Sequence, residues 1–149
     1  MDIGVTEAAE GLDGIAWNVV GHTYVPKLLS EAAFVWHATL PPGTFVPPHI
    51  HTTQDEWIYM LDGALEIEFP LDGPAVHAAR PGDTVRLPRN VAHGIFNRSG
   101  RMATCVFGVA PAARLFDLFT ALDGLTDPAE LVRISARHDV HFLPPPDAG

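Results

Sequence analysis

From Ile15 to about Val109 the chain alternates short apolar, β-branched or aromatic runs with clusters of turn-forming residues. The runs are Ala16–Val20, Ala33–Leu40, Glu56–Leu61, Ala64–Phe69, Val76–Ala79, Thr84–Leu87, His93–Asn97 and Ala103–Val109. The breaks are Pro41-Pro42-Gly43, Asp62-Gly63, Asp72-Gly73-Pro74, Pro81-Gly82-Asp83 and Ser99-Gly100. Short runs at this spacing, with Pro and Gly between them, predict strands rather than helices. Strands in this number predict an all-β sandwich or barrel, for which a jelly roll is the natural closed form.

The pattern changes after Pro111. Ala113, Leu115, Phe116, Leu118 and Phe119 recur at helical spacing as far as Gly124, a good helix stop. Asp127 and Pro128 then suit the N-cap and first position of a second helix running to about Arg137. Asp139 to Phe142 reads as a last extended segment, and Pro144-Pro145-Pro146 as a stiff tail. The predicted organisation is an arm over residues 1–14, loosely held, a barrel over 15–110, and two short helices with a Pro-rich tail over 111–149, all in one domain.

Composition fits a globular protein, with 47% hydrophobic and 18% charged residues in 149. The formal charge of −9 argues against a nucleic-acid partner, whose phosphates call for Lys and Arg. No apolar run approaches the roughly 20 residues needed to span a bilayer, so no membrane partner is expected. A single cysteine, Cys105, rules out an internal disulfide and reads as a small buried hydrophobe. Met1 to Glu10 has no apolar core of a signal peptide, and a cytoplasmic location is expected.

The eight histidines matter through their grouping. His49 and His51 are two apart, so an extended segment points both to one face. Glu56 follows after enough chain to turn back. Two imidazoles and a carboxylate on one wall suit a borderline divalent metal, although a histidine pair alone is as well explained by ordinary hydrogen bonding. His93 opens a later strand and adds a fourth ligand if that strand lies across the barrel. His22, His77, His138 and His141 are scattered and read as surface or structural groups.

These segments resemble the two motifs of the cupin superfamily. Gly43, His49, His51, Glu56 and Gly63 match the first at every position, and Gly82, Pro88, His93 and Asn97 match the second. Asn90 stands where the family usually has Gly; Asn is well suited to positive φ, so the turn should survive. The resemblance implies a double-stranded β-helix, with His49, His51, Glu56 and His93 holding one divalent transition-metal ion. Iron, manganese, nickel, cobalt, copper and zinc all suit that set. The neighbouring Asp55 would point the other way on a strand and reads as solvated or paired. Looser features, Val20-Gly21-His22-Thr23-Tyr24, Pro47-Pro48-His49-Ile50-His51, Asp55 to Met60, and the exit from Gly108 to Phe119, are similar to quercetinase-like single-domain cupins.

That similarity implies a metal-dependent dioxygenase acting on an enol-type or aromatic small molecule, with Glu56 as catalytic base as well as ligand. The alternatives are a non-oxidative isomerase, cyclase or lyase on the same site, and a module that binds a metal or ligand without turnover. The expected substrate wall draws on Tyr24, Phe34, Trp36, Phe45, Ile58, Met60, Ile95 and Phe107, with His37 as a further polar candidate. Alternation places Ile58 and Met60 on the side of Glu56, and Trp57 and Tyr59 on the other. A homodimer is expected, because such barrels often pair and symmetric dimers are the commonest assembly.

Overall fold

The computed structural model describes residues 1–73 and 75–145. Pro74, within one expected turn, and residues 146–149, the end of the expected tail, lie outside the described residues.

Every predicted strand and the predicted last extended segment are present, and two more strands join them. The strands are β1 (Trp17–Val19), β2 (His22–Leu29), β3 (Phe34–Leu40), β4 (Phe45–His51), β5 (Asp55–Asp62), β6 (Leu65–Glu68), β7 (Val76–Ala79), β8 (Thr84–Leu87), β9 (His93–Phe96), β10 (Ala103–Ala110) and β11 (Val140–Phe142). They form two antiparallel sheets, ordered β1-β2-β3-β10-β5-β8 and β11-β4-β9-β6-β7. The result is a jelly-roll barrel.

Prolines obscured β2 and β4 in the sequence, because a proline cannot donate to a sheet ladder. Both strands place their prolines where the ladder is interrupted. The β2–β3 register shifts between Pro26 and Leu28, and the β4–β9 register shifts between Val46 and His49, spanning Pro47 and Pro48.

Alternate residues of each sheet point inward. On the inner face of the first sheet Phe34, Trp36, Ala38 and Leu40 of β3 lie beside Cys105 and Phe107 of β10 and Ile58 and Met60 of β5, and they share one core with Leu65, Ile67 and Ile95 of the second sheet. Close packing fixes one contact in the first sheet. A Cβ on Gly108 would come within 2.2 Å of the Trp57 ring, so no larger residue fits there without displacing it.

Two helices close one end. Helix α1 (Leu115–Leu122) buries Leu115, Leu118, Phe119 and Leu122. Phe119 lies 5.0 Å from the rings of both Tyr24 and Trp36, and such aromatic contacts add about 0.5–1.5 kcal/mol each beyond area burial. Helix α2 (Pro128–Ala136) starts as its sequence requires, with the Asp127 carboxylate accepting from Ala129 N at 3.0 Å. The chain then returns as β11 alongside β4.

The N-terminal arm is held more firmly than its composition suggests. The Lys27 ammonium donates to the carbonyls of Glu7, Ala8 and Glu10, and Thr6 Oγ1 donates to Lys27 O. Among the described residues no helix is long and apolar enough to cross a membrane.

Candidate metal centre

The strand β4 delivers His49 and His51 side by side, and β9 runs antiparallel to it with His93 opposite His49. Glu56 comes from β5 of the other sheet. Two facing sheets therefore supply the four groups, and their ligand atoms all lie within 4.8 Å of one another. All four residues are buried, none more than 5% exposed.

Each ring is oriented by a hydrogen bond from the nitrogen that points away from the cluster. His49 Nδ1 donates to Pro47 O at 2.9 Å, His93 Nδ1 to Val91 O at 3.1 Å, and His51 Nδ1 to Gln54 Oε1 at 2.8 Å. Protonating Nδ1 leaves the Nε2 lone pair free, which is how ligating histidines are commonly prepared. His51 Nε2 lies 3.5 Å from Glu56 Oε2, and His93 Nε2 lies 3.3 Å from Glu56 Oε1. Glu56 Oε1 and His93 Nε2 have no hydrogen-bond partner among the described residues. Unpaired buried polar atoms are costly, and a divalent cation shared by the four would satisfy them. The donor set thus fits a metal ion.

The electrostatics agree. Burial pushes the Glu56 carboxyl up, but the His51 and His93 rings outweigh it and hold the group below its usual value. Burial, with His93 and His51 close by, pushes His49 well below the ordinary histidine value, so its ring is neutral and can ligate. Asp55 stays outside the cluster: it is exposed and accepts from Arg89 N and Nε at 3.0 and 3.4 Å.

The turn before His93 explains the tolerance for Asn90. Its φ is 65°, a left-handed conformation that Asn adopts more readily than most residues. Its backbone N donates to His51 O at 2.8 Å and pins the turn to the ligand strand. Asn97 closes the other end of β9, donating from Nδ2 to Leu40 O and Arg101 O.

A mostly apolar slot with a volume of about 50 Å³ lies beside His49, His51 and Glu56. Of the expected wall residues, Tyr24, Trp36, Ile95 and Phe107 line it. Ile58 and Met60 do share the inward side of β5 with Glu56, but they lie deeper in the core, below the slot. Phe34 also sits behind the wall, stacked on Trp36 at 4.8 Å.

Phe45 is a correction. It is 49% exposed and stacks on Phe96 at 5.8 Å, away from the slot. Simple alternation from His49 would put it inside, but the register shift between Val46 and His49 gives that place to Val46. His37 is a second correction: the alternation of β3 turns it away from Trp36, to the outer face. His22 proves fully buried, its Nδ1 3.1 Å from the Tyr24 hydroxyl.

Sequence reasoning missed two sets of residues. Gln54 showed no signal beyond its place between two ligands. The cover residues of α1, α2 and β11, among them Leu118, Phe119, Ser135, Val140 and Phe142, reach the slot only through tertiary packing.

Residues 36–108 match the Cupin_2 family, the cupin domain. Among curated relatives, Protein SchB of Streptomyces halstedii is 31% identical over 89 residues, 60% of this chain and 62% of that protein. Tetracenomycin polyketide synthase protein TcmJ of Streptomyces glaucescens is 30% identical over 84 residues, 56% of this chain and 54% of that one. The chain therefore spans between half and two thirds of the length of these relatives. Among solved structures, the polyketide cyclase RemF from Streptomyces resistomycificus aligns with a TM-score of 0.56 at 18% identity, over 73% of this chain and 74% of that one. At that identity the likeness speaks for the fold. Residues 36–108 thus match the cupin domain, and the barrel that carries the three-histidine, one-glutamate cluster has the cupin fold.

Proposed function

We propose that the chain is a metal-dependent enzyme that cyclises an enolisable polycarbonyl compound of the polyketide type without consuming dioxygen. The observation that carries this reading is Glu56: an ionised carboxylate set among three imidazoles at the floor of an apolar slot.

A divalent ion held by His49, His51, Glu56 and His93 would supply Lewis acidity for a substrate carbonyl oxygen. Glu56 takes a proton from a carbon flanked by two carbonyls. The electron pair left on that carbon forms a carbon–carbon bond to a second carbonyl carbon of the same molecule. The C=O π pair moves to oxygen, which receives the proton back from Glu56. Loss of water from the product then leads towards an aromatic ring. No electrons leave the substrate. The walls formed by Trp36, Ile95 and Phe107 exclude water and keep the folded chain flat. The similarity to TcmJ, a polyketide synthase protein, supports this choice over other non-oxidative reactions. RemF, which shares the fold, is itself a polyketide cyclase.

The decisive experiment is anaerobic. The protein loaded with zinc, nickel or iron is given a β-polycarbonyl thioester, and product is followed by mass spectrometry. A cyclised product of unchanged mass, or of mass lowered only by water, is expected, and its formation should depend on the metal. Failure with every metal, in the absence or presence of air, rejects the proposal.

A dioxygenase reading retains one observation in its favour: the quercetinase-like stretch around Tyr24 does contribute to the slot wall. It begins with the same proton transfer to Glu56 from an enol hydroxyl, and both atoms of dioxygen end in the product. Oxygen uptake matching flavonol loss would replace the cyclisation reading with this one.

A further inference from the structure

The outer face of the first sheet carries almost no charge. From Val35 to Thr39 on β3 and from Thr104 to Gly108 on β10, no outward side chain among the described residues is acidic or basic apart from His37. Burial and the nearby Lys27 ammonium push His37 below its ordinary value, so it too is neutral at neutral pH. Strand β5 turns Trp57, Tyr59 and Leu61 to the same face, while its acids Asp55 and Asp62 stand at its two ends. Tyr59 is 46% exposed and Leu61 44%. The Trp57 ring lies over Gly108 of β10, where an added Cβ would strike it, and this leaves the middle of the face flat. An antiparallel sheet with one face on the core normally turns a polar face to water. The chain has 18 acidic and nine basic residues to spend on such a surface, and places them elsewhere.

The N-terminal arm runs along one flank of this face. Lys27, on the outward side of β2, holds the carbonyls of Glu7, Ala8 and Glu10, and Gly11 packs at Val25 of the same strand. Before Thr6 the arm carries Ile3 and Val5, 104% and 89% exposed, so both apolar side chains stand in solvent.

We infer that a second copy of the chain docks on this face: two first sheets pack against each other about a two-fold axis, and each arm lays Ile3 and Val5 along the other copy. Charge selects this occupant. With a net charge of −9, two copies repel over most of their surface, and they approach most easily where carboxylates are missing. A foreign partner is usually steered and selected by complementary charge, and this face offers none. Both halves of the contact are on one chain, as a symmetric pair requires. The flat face suits sheet-on-sheet packing at roughly 10 Å. From β2 to β8 it is about 19 Å wide and about 17 Å long. That footprint falls short of the roughly 800 Å² a stable interface buries on each partner. The arm supplies the rest, since five extended residues reach about 17 Å.

Sedimentation of the full chain over a range of concentrations tests the inference. A dimer with a micromolar or tighter dissociation constant is expected. Tyr59→Glu combined with Leu61→Glu puts like charges into both halves of the contact and should weaken the pair at least about 100-fold. Ile3→Ser combined with Val5→Ser should weaken it about tenfold. Phe45→Glu, at an equally exposed apolar position on the second sheet, should leave it unchanged. Zinc affinity and melting of the monomeric double glutamate variant should show a folded barrel, because both side chains point away from the core. A wild-type chain that stays monomeric throughout overturns the inference and leaves the face to a different partner. A dimer that survives the double glutamate variant, or that Phe45→Glu breaks, places the contact elsewhere and overturns it as well. Unchanged dimerisation of the serine variant overturns the role of the arm. None of these readouts involves turnover, so the outcome is independent of the proposed function.

Discussion

Gln54 Oε1 accepts from His51 Nδ1 at 2.8 Å, and the other end of the same amide donates to Pro111 O and Ala112 O at 3.0 and 3.1 Å. The two carbonyls fix which way the amide faces. The amide then fixes where the His51 proton sits, and so leaves Nε2 free for a metal. The link also joins the ligand strand to the start of the helical cover.

Gln54→Leu removes that orientation while keeping the volume. It should weaken zinc binding about 10- to 100-fold, the usual cost of losing a group that orients a ligand. A chelator-competition titration reads this directly. Unchanged affinity would show that packing alone holds the His51 ring.

Glu56→Gln keeps the shape of the side chain and removes its charge and basicity. Turnover should fall at least about 100-fold, as expected for loss of a general base. The metal should still bind through the histidines, more weakly. His51→Ala, by contrast, should abolish tight metal binding and leave a folded barrel by circular dichroism. Full metal retention in His51→Ala would refute the ligand assignment.

His22 gives the fold a pH dependence. Burial pushes its ring from 6.5 down to about 4. Between these values the unfolded chain binds a proton that the folded chain does not, so stability rises with pH across the window and falls as pH drops through it. The slope is about 1.4 kcal/mol per pH unit. Urea unfolding at about pH 7 and about pH 4.5 should show a loss in His22→Phe that is smaller than in the wild type by about 2–3 kcal/mol. Equal losses would mean that His22 takes up its proton as readily in the folded protein as in the unfolded chain.

Asn90, with φ of 65°, sits in the turn that carries His93. Asn90→Gly should be neutral or slightly stabilising. Asn90→Val should cost about 1–2 kcal/mol, because a β-branched side chain is strained in that conformation. It should also weaken metal binding, since the Asn90 N to His51 O bond anchors the ligand strand. Denaturant midpoints and zinc titration of the two variants check both effects.

Local pattern by itself determined much of this protein. The strand and turn succession, the Asp127-Pro128 start of α2 and the shared face of His49 and His51 follow from periods and turn residues that act over a few positions. The motif spacing added Glu56 and His93 to the cluster. Tertiary structure decided what depends on contacts between distant elements. A register shift, invisible in one strand alone, exchanged Phe45 for Val46 in the slot wall. Pro47 and Pro48 hid β4 because their missing N–H groups matter only against a partner strand. Gln54 gained its role from carbonyls more than fifty residues away, and Ser135 gained its place only when α2 folded over the barrel. Periodicity fixes which way a side chain points on its own element; packing fixes what it meets there.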